Sequence, residues 1–140
     1  MAIKNPVINE DWNETKFTEA IRDTVAYLGG YSIKLAASMF QAQGTPDTVY
    51  FLGGITFHLE SKVFPFKASK VQLKQIELIR ETGALAWICT LKNGIIILGE
   101  QNFMDIESMI RYCHGQHKYI QLKPSCVQRT EPEVTPIIPV

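Results

Sequence analysis

The chain has 140 residues, 46% of them hydrophobic and 20% charged, with 14 basic against 14 acidic side chains and a formal net charge of zero. That length suits one domain, and the neutral balance excludes a protein that holds nucleic acid by overall charge alone. No apolar run approaches the ~20 residues that span a bilayer, no charged-then-apolar leader follows Met1, and the three cysteines, Cys89, Cys113 and Cys126, are too irregular for a disulfide framework. A reducing, cytoplasmic setting without a membrane is expected.

Residues 1–10 read as a loosely held arm. Phe17, Ile21, Val25 and Leu28 recur at helical spacing and predict a helix from Asn13 to Leu28, stopped by Gly29-Gly30. Glu14 falls on the apolar face of that helix and Glu19 on the opposite face. Tyr31 to Ala37 alternates as a strand, with Ser32 and Lys34 on one side. A polar connection covers 38–43. The turn Gly44-Thr45-Pro46 then delivers Asp47.

Two apolar runs, Thr48 to Leu52 and Ile55 to Leu59, flank Gly53-Gly54. This is a strong hairpin signal, because a primed two-residue turn needs φ > 0 at its centre. Phe64-Pro65-Phe66 follows, and its proline keeps it out of a central strand. Ser69 and Gln72 form a capping-box pattern that opens a helix to Thr82, closed by Gly83. Gln72, Ile76 and Ile79 share one face of it. Ala84 to Leu91 is apolar throughout, as in a central strand covered on both faces. Asn93-Gly94 turns the chain into Ile95 to Leu98. A third helix is expected from Phe103 to Cys113, burying Phe103, Ile106 and Ile110, and a short edge strand from Lys118 to Leu122. Beyond Lys123 four prolines exclude a regular element, so residues 1–122 read as the domain and 123–140 as an extended Pro-rich tail. The order α-β-β-β-α-β, then β-α, predicts an α/β fold with a mixed sheet flanked by helices on both sides.

Side chains alternate across a strand, so Thr56, His58, Glu60 and Lys62 share one face of the second hairpin strand. Asp47 approaches Glu60 if the pairing brings their faces together. Two carboxylates and an amine at one place suit a divalent cation and a phosphate better than they suit a core. Lys62, Lys67, Lys70 and Lys74 crowd together just after the hairpin. Lys34, His58, Lys67 and Lys70 are candidate nucleic-acid contacts. Each of these residues also has a plainer reading. Asp47 opens a turn, Glu60 and Lys62 form a solvated strand face, Gln72 caps a helix, and Lys34 lies along the surface with its head in water. Cys113-His114 with His117 has a C-H-x-x-H spacing, short of the four ligands of a structural zinc site. His114, His117, Lys118 and Lys123 read better as a phosphate-contacting fringe. Phe64 and Trp87 read as packing, with no aromatic platform for stacked bases.

Pro46-Asp47, the hairpin and Glu60-Ser61-Lys62 together resemble the motif of the PD-(D/E)xK nuclease superfamily, whose restriction-endonuclease-like core has the same α-β-β-β-α-β order. With the Phe64-Pro65 step and Gln72 leading a helix, the stretch from Asn13 to Leu98 resembles two branches. These are the RecU-type Holliday junction resolvases and the VRR-NUC domain nucleases, small examples of which are common in phages. The resemblance implies that Asp47, Glu60 and the Ser61 carbonyl hold Mg²⁺ or Mn²⁺. It implies that Lys62 orients the attacking water and offsets charge on the phosphate. Gln72 matches a helix glutamine near that lysine. A first-helix glutamate completes the pattern, and helical period favours Glu14 over Glu19. The implied reaction is phosphodiester hydrolysis in branched DNA, leaving a 5′-phosphate and a 3′-hydroxyl. A Holliday junction needs two matched cuts, which a homodimer supplies by symmetry, with the third helix or the tail as candidate contacts. The alternatives are a nuclease for flaps or unspecific duplex, a DNA-binding module without chemistry, and an interaction protein acting through its tail.

Overall fold

The computed structural model describes residues 6–35 and 46–119. Asn13 caps helix α1 (Glu14–Tyr27), its side-chain oxygen accepting from the Lys16 amide at 2.8 Å. The helix stops in a Schellman arrangement. The Gly29 amide donates to the Ala26 carbonyl at 3.0 Å and the Gly30 amide to the Val25 carbonyl at 2.8 Å, with Gly29 at φ 92°. Strand β1 (Tyr31–Lys34) follows, then the hairpin of β2 (Thr48–Leu52) and β3 (Ile55–Val63). Gly53 and Gly54 both have positive φ, as a type I′ turn demands, and Leu52 pairs with Ile55.

Helix α2 (Lys70–Glu81) carries the full capping box between Ser69 and Gln72. Strand β4 (Leu85–Lys92) lies parallel to β3, and a second glycine-containing turn leads into β5 (Ile95–Leu98). The sheet is completed by β6 (Gln101–Phe103), giving the order β1-β2-β3-β4-β5-β6 with only the β3–β4 pair parallel. Helix α3 (Ile106–Gly115) closes the fold, with a 3₁₀ turn over Gln116–Tyr119.

The mixed sheet with helices on both sides is as the sequence predicts, and the elements follow one another in the expected order α-β-β-β-α-β. Phe17, Ile21 and Val25 of α1 and Ile106, Met109 and Ile110 of α3 meet Tyr50, Phe57, Leu59, Cys89 and Leu91 in one core on one side of the sheet. Ile76 of α2 is buried on the other side, beside Ile88. Among the described residues no helix is long and apolar enough to cross a membrane.

Four expectations change. The first strand ends at Lys34, and residues 36–37 of the expected strand lie outside the described residues. Phe103 belongs to β6, not to the third helix, which starts one residue after its cap. Asp105 accepts from the Ser108 amide at 2.8 Å, and that bond fixes the boundary. Lys118 and Tyr119 lie in the 3₁₀ turn rather than an edge strand, and the tail 123–140 lies outside the described residues. The apolar face of α3 is spent inside the monomer, on Ile106, Met109, Ile110 and Cys113, so that helix offers no apolar dimer contact.

Gly30 lies between Val25 of α1 and Phe51 of the hairpin. A Cβ there would lie 2.5 Å from the Phe51 carbonyl oxygen and 2.6 Å from Val25 Cγ1. Neither neighbour is the free end of a flexible chain. Gly30→Ala is therefore expected to destabilise the protein by about 1–3 kcal/mol, read from urea unfolding. A midpoint equal to that of the wild type would show that the α1–β2 contact yields freely.

Candidate active site

The register of the hairpin builds the site. Thr48 pairs with Leu59, and one step further sets Asp47 across from Glu60. The Asp47 amide donates to Glu60 Oε2 at 3.4 Å. The parallel strand β4 covers the other flank, with Ile88 beside Glu60 and Thr90 beside Lys62. Glu60 ends up 4% exposed, though it is a carboxylate on a strand. Burial of such a group needs compensation, and two donors supply part of it. Gln72 Nε2 donates to Glu60 Oε1 at 2.6 Å, and Lys62 Nζ lies 3.5 Å from the same oxygen. Gln72 keeps its structural task as well, its Oε1 accepting from the Ser69 amide at 2.9 Å. One side chain thus ties the start of α2 to the carboxylate of β3.

Lys62 is 13% exposed and reaches Glu14 Oε2 at 3.9 Å. Glu19, by contrast, pairs at 4.0 Å with Lys16 in solvent. Of the two α1 glutamates, the structure brings Glu14 to the cluster. Asp47, Glu60, Lys62, Gln72 and Glu14 therefore converge at the end of β3. Ser61 points to the opposite face, its Oγ 3.8 Å from the buried Cys89 thiol. Burial pushes the Cys89 thiol up to about 12.

The electrostatics of the cluster are unbalanced. Burial, then the charge of Asp47, lifts the Glu60 carboxyl from 4.5 to about 7, against the opposing pull of Lys62. Asp47 Oδ1 is buried and has no hydrogen-bond partner among the described residues. A buried acceptor left orphaned costs about 1–3 kcal/mol, and a cation there would satisfy it. Among the described residues no three His, Cys, Asp or Glu side chains are grouped to hold a metal. Mg²⁺ does not need such a cage: it is held through one or two carboxylates and keeps several waters. The donor set, two carboxylates with one oxygen orphaned and a neighbouring main-chain carbonyl, fits a hard divalent cation.

No protein-family model matches the chain, and no curated protein sequence does. Among solved structures the chain is similar to Hjc, a Holliday junction resolvase from the archaeal hyperthermophile Archaeoglobus fulgidus. The TM-score is 0.49 and the identity 19%, covering 68% of this chain and 98% of that one. So slight a likeness carries no function across, and the site rests on its own residues.

The remaining candidates are scattered around this cluster. His58 is half-buried on the face of Glu60, and burial lowers its pKa. Lys67 and Lys70 are exposed beside the start of α2. Lys34 is exposed and pairs with Thr48, which puts it on the face of Ser32 and α1, opposite that of His58. Of the expected phosphate fringe, His114 is placed by its neighbour. The His114 ring lies against Gly53, at the hairpin turn, five strand residues from Glu60, a span of about 17 Å. The Lys118 and Lys123 side chains lie outside the described residues.

Trp87 packs as expected, its ring 6.4 Å from that of Tyr112. Phe64 does not. It is 48% exposed and Phe66 is 72% exposed, both just beyond Lys62. Periodicity is silent on residues outside helices and strands, so the sequence held no signal for this pair.

Proposed function

We propose that the chain is a metal-dependent endonuclease that hydrolyses phosphodiester bonds in branched DNA, four-way junctions above all. The observation that carries this reading is the pairing of Glu60, buried and lifted to about 7, with Asp47, whose Oδ1 has no partner among the described residues, beside the Lys62 ammonium. A strand end built at such a cost in charge repulsion has a function other than stability.

In this reading Asp47, Glu60 and the Ser61 carbonyl hold Mg²⁺ or Mn²⁺. Bound there, the ion supplies Lewis-acid charge to the scissile phosphate. Lys62 orients the attacking water and offsets the charge that grows on the phosphoryl oxygens. Gln72 holds Glu60 in place through its amide, and Glu14 steadies the Lys62 ammonium from the far side. Lys34, His58, Lys67 and Lys70 contact the DNA backbone, which positions the substrate without reading sequence. The enzyme acts as a homodimer, because two matched cuts need two sites. The exposed Tyr31, Ile33 and Phe51, neighbours across β1 and β2, replace α3 as the apolar contact.

The test is incubation of labelled four-way junction and linear duplex with Mg²⁺, Mn²⁺ or EDTA. Symmetric paired nicks on the junction, dependent on the metal, are expected. Cutting of flaps or linear duplex at the same rate would remove the junction preference. No cutting of DNA of any shape with either metal would overturn the reading.

A further inference from the structure

We propose that Phe64 and Phe66 form a stacking platform for unpaired bases beside the scissile phosphate, so that this site takes DNA with splayed nucleotides in preference to continuous duplex. The inference rests on the nuclease reading and narrows its substrate.

Two phenyl rings stand at 48% and 72% exposure, more open to water than the packing of the described residues requires. Covering them removes apolar area from water at about 25 cal/mol per Å². The backbone presents them firmly. The Phe64 amide donates to the Leu91 carbonyl at 2.9 Å and the Phe66 amide to the Val63 carbonyl at 3.0 Å. Phe64 lies two residues after Lys62, so their Cα atoms are within about 7 Å. A ring at that separation meets a nucleotide next to the bond that Lys62 addresses, not one on a remote part of the substrate.

The charge around the rings selects the occupant. Lys67 on the same connection and Lys70 at the start of α2 are exposed, and Lys92 Nζ stands 4.6 Å from the Phe64 ring centre. An apolar protein partner gains nothing from three lysines in this position. A single strand gains from both features, since its phosphates meet the ammonium groups and its bases the rings. In continuous duplex the base faces are already covered by their neighbours, so only unpaired or unstacked nucleotides can use the platform. Phenyl rings carry no hydrogen-bonding groups, so the preference is for an open base, whatever its identity.

The test uses the full-length protein in EDTA, where no cutting occurs. Binding is measured to a fluorescent duplex with an unpaired tail and to a blunt duplex of equal length, with 2-aminopurine in the tail reporting stacking. The wild type is expected to favour the tailed DNA and to quench the 2-aminopurine. Phe66→Ala is expected to weaken binding of the tailed DNA about 5- to 150-fold, to collapse its preference over blunt duplex, and to relieve the quench. Phe66→Trp is expected to restore all three. If Phe66→Ala keeps the preference and the quench, the platform is refuted. If it instead dissociates a wild-type dimer and leaves DNA preference intact, the rings are a protein contact and the inference falls. A wild type that cuts DNA with Mg²⁺ but binds both probes equally overturns the platform alone. A wild type that neither binds nor cuts any DNA overturns the nuclease reading and the platform together.

Discussion

Glu60→Gln is expected to abolish DNA cleavage and, at the same time, to stabilise the metal-free protein above pH 7. Loss of a carboxylate from the proposed ligand set should cut the rate by at least ~10²-fold, as does removal of a preorganised electrostatic group from other active sites. The stability effect has the opposite sign, and it follows from the raised pKa. The folded protein holds a proton on Glu60 up to about pH 7, whereas the ordinary value is 4.5. Between those values the folded state binds more protons than the unfolded chain. Stability from this group is therefore fully present below about pH 4.5 and is lost as pH rises through about 7. A shift of that size corresponds to roughly 3 kcal/mol. Glutamine keeps the shape, removes the repulsion with Asp47, and forfeits the attraction of Lys62. A net gain of about 1–2 kcal/mol remains, or roughly 3–6 °C in melting temperature at pH 8 in EDTA. The gain should vanish at pH 4.5, and saturating Mg²⁺ should reverse the order by stabilising the wild type alone. A variant that melts no higher than the wild type at pH 8 would show that Glu60 is comfortable without a cation.

The parts of this site that were legible in the sequence are those set by period and by turn chemistry. Gly53-Gly54 fixes the hairpin register, the register brings Asp47 to Glu60, and the period of two puts Lys62 on the same face. Helical period likewise separates Glu14 from Glu19. Residues that depend on tertiary contact were not legible. That Gln72 donates to Glu60 while it caps α2 depends on where α2 lies over the sheet. Strand β6 has three residues, two of them polar, too short for any alternation to register. Its phenylalanine therefore read as the opening of the next helix. That His114 comes to lie against Gly53 likewise depends on how α3 packs, which no local spacing encodes. Exposure of Phe64 and Phe66 also follows from what fails to cover them, and no local pattern encodes that.

Lys62→Met should silence cleavage to a similar degree, yet move stability the other way. Methionine preserves the length and apolar stem of lysine and deletes the ammonium that stands 3.5 Å from Glu60 and 3.9 Å from Glu14. Removing one member of a buried ion pair costs about 3–5 kcal/mol, because the other charge is left stranded. Lys62 retains some contact with water, so about 1–3 kcal/mol is expected at pH 8 in EDTA. Near pH 4.5 Glu60 is protonated in either protein, no charge is stranded, and most of the loss should disappear. The double variant Glu60→Gln, Lys62→Met separates this account from simple loss of packing. With the carboxylate already neutral, the ammonium has little left to offset, and its removal should cost far less than it does alone. A coupling of about 1 kcal/mol or more between the two substitutions at pH 8, shrinking towards pH 4.5, is the expected result of the thermodynamic cycle. Equal losses from Lys62→Met at both pH values, with additive effects in the double variant, would mean that the side chain acts as filler. A lysine of that kind has no electrostatic role to bring to a phosphate.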